Sequence, residues 1–357
     1  MTIRPLAALK SKVGELEAIG HLPAGDSPRA RVLLELTDRV RVTDRAKVFP
    51  ALVEAAASMA AAGEPLWVDG HLVGADGPLA RQPGGVLQFL DREVEDRLGL
   101  WGEDRPALIP VVRDHASPEE LRTVALLREH RSRDVVVRIG QNAPIAELAG
   151  RLRDITRRIG DQSGALHAVI DLGFLDPPSR ERVDRVAGLA EWLVARFGPG
   201  STTLLAGSIP ASRSGYATTV RERPEAALWQ VVNDRVEIGY GDYGVAHPVA
   251  QPLSGSVATI PNPYLFYTVP GRTLALRRQV PKADRLSQSN ALGRAFTDIA
   301  EELVSRSDFA GSHYSWGDEQ LDRCRTSDGR GFGSATRWVE IATSHHLAHL
   351  ARRSADW

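Results

Sequence analysis

The sequence predicts an α/β fold, a TIM-like (β/α)8 barrel that carries a C-terminal hairpin and helical appendage. Short apolar runs alternate with longer helical patterns, which implies parallel strands joined by helices. Eight such runs and seven intervening helical segments occupy roughly 240 residues, the length of a closed barrel. An open doubly wound sheet is the main competitor, but no run is followed by the Gly-rich turn that such sheets use for dinucleotides.

The eight runs define the predicted strands in chain order. They are Pro5–Lys10, Arg31–Leu36, Pro65–Asp69, Ala107–Arg113, Asp134–Arg138, Ala168–Asp171, Thr203–Ser208 and Arg235–Asp242. The helical segments between them are Gly14–Ile19, Thr43–Gly63, Gly85–Leu100, a segment from Ser117, Pro144–Ile159, Ser179–Phe197 and Pro224–Val232. The fourth helix has the clearest start, because a capping serine precedes a proline and two acidic residues.

The amino-acid composition of the sequence changes after the eighth run. Residues 243–262 are rich in Pro, Gly and Ser and predict a long loop. Tyr264–Thr268 and Thr273–Arg278 flank a turn and predict a β-hairpin. Helical patterns follow over residues 285–305 and 334–352. We therefore predict a barrel over residues 1–245, and over residues 246–357 an appendage of loop, hairpin and two to three helices, which packs on the barrel and supplies its eighth helix.

The composition excludes several classes of protein. The 357 residues include 44 Lys plus Arg and 45 Asp plus Glu, so the formal charge of -1 argues against coating nucleic acid or anionic lipid by bulk electrostatics. No apolar run is long enough to cross a bilayer. The start lacks the apolar core of a signal peptide, and the single cysteine, Cys324, fits a reducing compartment. We expect a cytoplasmic protein without membrane association.

Charged side chains at the ends of the runs are the candidate functional residues. In a closed barrel these ends converge on one mouth, which carries the active site in characterised barrel enzymes. The residues are Lys10, Lys12, Glu35, Asp69, Arg113, Arg138, Asp171, Ser208 and Asp242. Cations beside carboxylates suit an anionic group held next to an acid, a base or a metal ligand. The alternative is a set of ion pairs that hold the barrel closed.

The leading hypothesis is a hydrolase of phosphodiesterase type that binds a phosphorylated substrate, a nucleotide or a nucleic-acid end. Phosphate would be held by Lys10, Lys12, Arg113 and Arg138. Asp171 and Asp242 are candidates for the base or a metal ligand, Glu35 assists, and His313 or His346 is the candidate acid. The common signatures of serine hydrolases, P-loop NTPases and CxxC redox proteins do not occur.

Two further features bear on ligands. His345 and His349 lie four residues apart, a spacing that two metal ligands on one helix face need, but the HExxH pattern is missing. A divalent metal is left open as a cofactor. Gly239–Gly244 and Gly311–Asp318 each place an acid among glycines and aromatic residues. Their rings, including Tyr243 and Trp316, suit stacking on a base, and tight turns with inward-packed rings are the alternative.

Several motifs spread along the chain resemble the Beta protein family of phages and bacterial mobile elements. They are Pro5–Glu15, Gly241–Gly244, Tyr314–Asp318, Arg337-Trp338 and His345-His346, and the second strand, Val32–Glu35, departs from the family pattern. The resemblance covers nearly the whole chain. It implies a role in conflict between phage and host, and a joint constellation of Lys12, Glu15, Asp242, Ser315, Trp316, Asp318, Trp338 and His346.

A second hypothesis comes from a different class. The protein would be a non-catalytic binding or sensor component of a phage-defence or toxin–antitoxin locus. It would bind a protein partner from the same locus with the barrel mouth or the hairpin. The motif aromatics would then anchor an interface. A nucleic-acid binder without chemistry is a third hypothesis, and it predicts affinity that falls steeply with salt.

Overall fold

The computed structural model describes residues 4–23, 26, 29–38, 40–43, 46–99, 105–160, 165–213, 215–249, 260–286 and 290–353. Within these ranges the strands are β1 (Leu6–Lys10), β2 (Arg31–Glu35), β3 (Trp67–Asp69), β4 (Ile109–Arg113), β5 (Val135–Gly140), β6 (Leu166–Phe174), β7 (Ser201–Gly207), β8 (Thr219–Glu222), β9 (Gly239–Asp242), β10 (Tyr264–Val269) and β11 (Arg272–Arg277). The helices are α1 (Val13–Gly20), α2 (Val48–Ala61), α3 (Gly85–Leu98), α4 (Pro118–His130), α5 (Ile145–Ile159), α6 (Arg180–Trp192), α7 (Pro224–Asn233), α8 (Lys282–Leu286), α9 (Ala291–Val304), α10 (Trp316–Thr326) and α11 (Ala335–Arg353).

Eight parallel strands, β1 to β7 and β9, close into a barrel in chain order. The last strand pairs with the first, with Leu6 opposite Gly241 and Ala7 opposite Asp242, so the ring has no open edge. Each of the eight predicted runs overlaps one of these strands. The prediction of a TIM-like (β/α)8 barrel is confirmed.

The two faces of the barrel wall carry two separate apolar cores. Side chains two residues apart in a strand share a face. The interior is filled by Leu6, Ala8, Leu33, Trp67, Ile109, Val111, Val136, Val169, Leu205 and Tyr243. Their chain neighbours, such as Ala7 and Leu9, belong to the larger core between the wall and the helices. The barrel is therefore solid through its middle.

Local sequence signals account for the best-defined helix start. The Ser117 hydroxyl accepts the Glu120 N–H at 3.2 Å, and the Glu120 carboxylate accepts the Ser117 N–H at 2.7 Å. This reciprocal pair satisfies two amides that the first helical turn leaves unpaired. The predicted cap of α4 is confirmed.

The appendage differs from its prediction in three details. The predicted hairpin is β10 and β11, but a third strand, β8, lies beside β11 in the same antiparallel sheet. The helix expected over residues 285–305 is divided into α8 and α9, with residues 287–289 outside the described part of the chain. Helix α10 was not predicted. Residues 250–259 of the expected loop and the predicted helix end at Leu100 also lie outside the described residues.

Helix α11 takes the position of the eighth barrel helix. It packs against α1 and touches β1, and its Leu347, Leu350 and Ala351 belong to the core around the barrel. The appendage has its own apolar core as well, in which Phe296 and Trp338 stack at 5.7 Å between ring centroids. Among the described residues, no helix combines the length and the apolar character needed to span a bilayer.

Candidate active site at the barrel mouth

The carboxyl end of the barrel interior is a layer of charged side chains. On six strands the residue two positions beyond an interior apolar side chain is charged. These residues are Lys10, Glu35, Asp69, Arg113, Arg138 and Asp171, and they follow Ala8, Leu33, Trp67, Val111, Val136 and Val169. Because side chains alternate across the wall, all six point inward. The structure thus brings together six of the nine strand-end residues that the sequence predicted.

Arg138 lies at the centre of this layer and is 2% exposed. Its Nη1 donates to Asp69 at 2.7 Å, and its Nε donates to Asp171 at 2.9 Å. Its Nη2 donates to the Tyr243 hydroxyl and lies 2.8 Å from Glu35. Burial opposes its charge, but Asp171, Tyr243, Glu35 and Asp69 outweigh burial and raise the pKa of Arg138 well above its ordinary value. Its donors are used within the protein.

Lys10 is also enclosed. Its Nζ lies 3.4 Å from Glu35 Oε2, donates to the His247 carbonyl at 3.0 Å and sits 5.3 Å from the centroid of the Tyr243 ring. The side chain is 1% exposed, and Glu35 is 3% exposed. The loop that carries His247 therefore covers this side of the mouth, and Lys10 does not face solvent.

The charges of the layer balance. Three cations, Lys10, Arg113 and Arg138, face three carboxylates, Glu35, Asp69 and Asp171. Each buried charge has an opposite charge within 4 Å, as the low dielectric of an interior requires. This geometry is that of the ion-paired alternative predicted from sequence.

Arg113 and Asp171 are the members of the layer with an appreciable solvent contact. Their side chains are 18% and 12% exposed. Arg113 Nη2 donates to Asp69 at 3.0 Å, its Nη1 is 3.7 Å from Asp171, and its buried Nε has no partner. A guanidinium has five N–H donors. Arg113 therefore retains donors for a ligand, in contrast to Arg138.

Asp171 is held as a carboxylate. It accepts the Tyr243 hydroxyl at 2.7 Å and the Gly173 N–H at 2.9 Å, in addition to Arg138. Burial raises its pKa, but Arg138, Tyr243, Gly173 and Arg113 outweigh burial, so the pKa of Asp171 is below its ordinary value. A carboxylate with a lowered pKa is a weak proton acceptor at neutral pH.

Two cavities open on either side of Arg113. A groove of about 440 Å³ lies over the ends of β4, β5 and β6. It is lined by polar groups that include Arg113, Asp114, His115, Asn142, Arg151 and Asp171. A pocket of about 390 Å³ lies between the loops after β3 and β4, and its lining includes His71, Val73, Val86 and Val124. The accessible part of the mouth is thus the arc from β3 to β6.

Sequence reasoning missed the two histidines of this arc. His71 and His115 meet edge to face with their ring centroids 6.2 Å apart. Burial and the charge of Arg113 lower the pKa of His71 below its ordinary value. The signal for His115 was present, because it lies two residues beyond Arg113 in the loop that follows a barrel strand, where active-site residues collect.

Asp242 lies on the other side of the wall. Tyr240, two residues earlier on the same strand, belongs to the core between the strands and the helices, so Asp242 shares this outer face. The Tyr240 hydroxyl donates to Asp242 at 2.8 Å. Asp242 also pairs with Arg223 at 2.6 Å and is 0% exposed. Burial opposes its ionisation, but His346 and Arg223 outweigh burial and lower the pKa of Asp242. The placement of Asp242 in the mouth was wrong, because its side chain points away from the interior.

His346 reaches Asp242 from α11. Its Nε2 is 2.8 Å from Asp242 Oδ1, and its Nδ1 is 2.8 Å from the Thr268 hydroxyl on β10. Both partners are at most 2% exposed, and His346 is 0% exposed. His346 therefore joins the appendage to the last barrel strand and does not extend over the mouth. His313 also lies elsewhere, exposed in the turn that precedes α10.

A second buried histidine lies beside the first. His345 Nδ1 is 2.9 Å from Asp318, and His345 Nε2 is 2.7 Å from the Thr268 carbonyl. Asp318 also accepts the Tyr267 hydroxyl at 2.7 Å and the Ser315 hydroxyl at 2.5 Å. Asp318 is 0% exposed and belongs to this network of the appendage.

The remaining family-motif residues lie on the α1–α11 side of the molecule. Trp338 is 1% exposed in the appendage core, and its indole N–H donates to the Phe332 carbonyl at 2.6 Å. Trp316 stacks on His21 with centroids 3.7 Å apart. Glu15 accepts the Lys10 N–H at 2.7 Å, and Lys12 is the residue before α1. The structure does not bring Trp316, Asp318 or Trp338 into the charged layer of the mouth.

No metal centre is evident in the part of the chain that the structure describes. Within it, no group of three or more His, Cys, Asp and Glu side chains has an arrangement that could hold a metal ion. His345 and His349 have ring centroids 6.2 Å apart, and both are buried in α11.

The comparison with protein families agrees with the motifs and the fold. A family model described as Beta protein matches residues 6–352, nearly the whole chain. No curated protein matches the sequence. The chain therefore belongs to the Beta protein family.

Proposed function

We propose that the protein is a hydrolase of phosphodiesterase type that binds a phosphorylated substrate, a nucleotide or a nucleic-acid end, in the groove over β4, β5 and β6. The observation that carries the proposal is Arg113. It combines solvent contact with unused donors at the mouth of a closed barrel, where barrel enzymes place their chemistry. A planar guanidinium binds phosphate oxygens in pairs.

The rest of the charged layer supports Arg113 in this role. Asp69 holds one end of the guanidinium at 3.0 Å, and Asp171 faces the other at 3.7 Å. Arg138 in turn holds both carboxylates. A cation positioned in this way loses little conformational freedom when it binds an anion, which favours affinity. Lys10 and Arg138, which sequence reasoning assigned to phosphate, act in this proposal by orienting their neighbours.

Turnover and binding in the Arg113→Met variant test the proposal. The substrates are p-nitrophenyl phosphate, bis(p-nitrophenyl) phosphate and a panel of nucleotides, and calorimetry with inorganic phosphate measures binding. We expect turnover by the wild type and a loss of about 100-fold in kcat/KM for the variant, the scale of removing one transition-state donor. Arg122→Met, which removes an exposed arginine of α4, is the matched control and keeps wild-type values. No turnover and no phosphate binding by the wild type would refute the proposal.

A second function is favoured by the balance of charge in the mouth. Because Lys10, Arg113 and Arg138 are each paired with a carboxylate, the layer carries no excess positive charge to attract an anion. Under this proposal the barrel is a non-catalytic scaffold that binds a protein partner. Its expected result is the absence of turnover and of phosphate binding, together with a partner that co-purifies. A role in phage defence stays a prediction that no feature of the structure tests.

A further inference from the structure

The geometry points to His115 as the general base of the reaction, the group that takes a proton from the attacking water. The inference rests on the proposed hydrolase function and names a catalytic residue that the motifs do not contain. His115 lies in the turn after β4, where the Ala116 N–H donates to the Arg113 carbonyl at 3.0 Å. This turn places His115 beside Arg113 on the lining of the groove.

The tautomer of His115 is set by its neighbour. Asp114 Oδ1 is 3.2 Å from His115 Nδ1, and Asp114 Oδ2 accepts Arg151 Nη1 at 3.0 Å. Asp114 is 6% exposed and is also paired with the guanidinium of Arg151. His115 therefore donates from Nδ1, and the second ring nitrogen, Nε2, is left to accept a proton. A carboxylate that orients a histidine in this way is a recurrent feature of catalytic bases.

The other surroundings of His115 agree with this role. Its side chain is 62% exposed, and within the described residues Nδ1 alone makes a hydrogen bond. The ring facing it is His71, whose pKa is lowered by burial and by Arg113, so that this neighbour adds no charge at neutral pH. The charged side chains that line the groove beside His115 are Asp114, Arg151, Arg113 and Asp171.

The proposed step is the attack of a water molecule on the phosphorus atom of the substrate. The attacking water gives one proton to His115 Nε2 as its oxygen bonds to phosphorus. The bond from phosphorus to the leaving oxygen breaks, and its electron pair stays on that oxygen, which solvent protonates. His115 then releases its proton to solvent. Arg113 compensates the charge of the phosphoryl oxygens, and Asp114 acts as a positioning residue because it contacts His115 alone among the reacting groups.

Steady-state kinetics of His115→Gln on the two nitrophenyl phosphates test the inference. We expect kcat to fall by about 100-fold or more with KM and the Kd for inorganic phosphate unchanged, the scale of general-base catalysis. His130→Gln is the matched control, since His130 is also 62% exposed beside a carboxylate, Glu95 at 3.5 Å, but lies at the far end of α4. It keeps wild-type kcat.

Chemical rescue with imidazole distinguishes the loss of a catalytic base from a structural effect of the substitution. Added imidazole should restore turnover to His115→Ala, because the exposed site admits it, and should not restore Arg113→Met. If the wild type turns over and His115→Gln keeps its kcat, the role of His115 is overturned and the proposed function stands. If the wild type neither binds phosphate nor turns over, the proposed function and the role of His115 both fall.

Discussion

Asp242 and Tyr243 are consecutive residues whose side chains lie on opposite sides of the barrel wall. The Tyr243 hydroxyl donates to Asp171 in the charged layer inside, whereas Asp242 accepts from Tyr240 and pairs with His346 in the layer outside. One residue of register therefore decides which of two buried polar networks a side chain joins. The inner network forms the charged layer of the candidate site, and the outer network joins the appendage to the last barrel strand.

Replacement of Asp242 by Asn should destabilise the fold. Asp242 is 0% exposed and balances Arg223, so the change leaves a buried guanidinium with less compensation. The expected loss in the free energy of unfolding is about 3–5 kcal/mol, the scale of breaking a buried pair. Urea denaturation measures it. Asp184→Asn removes the carboxylate from an exposed pair with Arg235 and should cost less than about 1 kcal/mol. Loss of turnover without loss of stability in Asp242→Asn would contradict this assignment.

Arg138→Met should be strongly destabilising as well. The change leaves Glu35, Asp69 and Asp171 without the guanidinium that they share, at a position that is 2% exposed. We expect a loss of about 3–5 kcal/mol or failure to fold. Addition of Asp171→Asn should recover part of the loss, because it removes one of the uncompensated carboxylates. A stable Arg138→Met protein that has lost only phosphate binding would show that Arg138 holds the ligand directly.

The free energy of unfolding should fall at acid pH, near and below the ordinary pKa of an aspartate. The folded-state pKa values of Asp171 and Asp242 lie below their ordinary value, where the unfolded chain titrates at about 3.9. Their contribution is therefore fully present above that pH and is lost as pH falls through the folded-state values, since the unfolded chain binds protons first. Urea denaturation between about pH 5 and pH 2 should show a decline that is shallower in Asp171→Asn. A free energy of unfolding that does not change over this range would contradict the prediction.

Two glycines in helices should respond to alanine with opposite signs. At Gly14 of α1 an added Cβ would lie 2.4 Å from the Thr336 carbonyl oxygen of α11, so Gly14→Ala must push the two helices apart. At Gly150 of α5 nothing lies within 4 Å of an added Cβ. Gly150→Ala should stabilise by about 0.5–1 kcal/mol, the difference in helix propensity. Thermal unfolding of both variants checks this, and a stable Gly14→Ala protein would contradict the close packing of α1 on α11.

Much of the barrel was predictable because its signal is repeated. Eight apolar runs with helical segments between them determine the closed parallel ring, and a capping box marks α4. Strand β8 was missed because its residues, Thr219 to Glu222, are largely exposed and pair with a hairpin fifty residues later in the chain. Helix α10 was missed although Ser315 and Asp318 have the spacing of a helix cap, because the glycines around them suggested a turn.

The candidate site was predicted in part. The last charged residues of the runs include the inner layer. This criterion ignores the alternation of side chains between the two faces of a strand, and it therefore also includes Asp242. Counting in twos from the interior positions Ala8, Val136 and Val169 would have selected Lys10, Arg138 and Asp171 and excluded Asp242. Exposure could not be predicted from the run ends, since Arg113 and Arg138 are the same residue type in paired register on neighbouring strands. Their difference comes from their neighbours, because Arg138 is enclosed by Glu35, Asp69, Asp171 and Tyr243, whereas Arg113 lies on the lining of the groove.

The packing of α11 against α1 has a consequence for synthesis on the ribosome. All eight barrel strands have been translated once synthesis reaches Asp242. The apolar side of α1, however, is covered only by α11, whose Leu347 and Leu350 are translated about a hundred residues later. A nascent chain that stops before residue 335 therefore leaves the apolar side of α1 exposed to solvent next to the first strand. Premature termination in this region should yield aggregated or degraded polypeptide instead of a shorter working barrel.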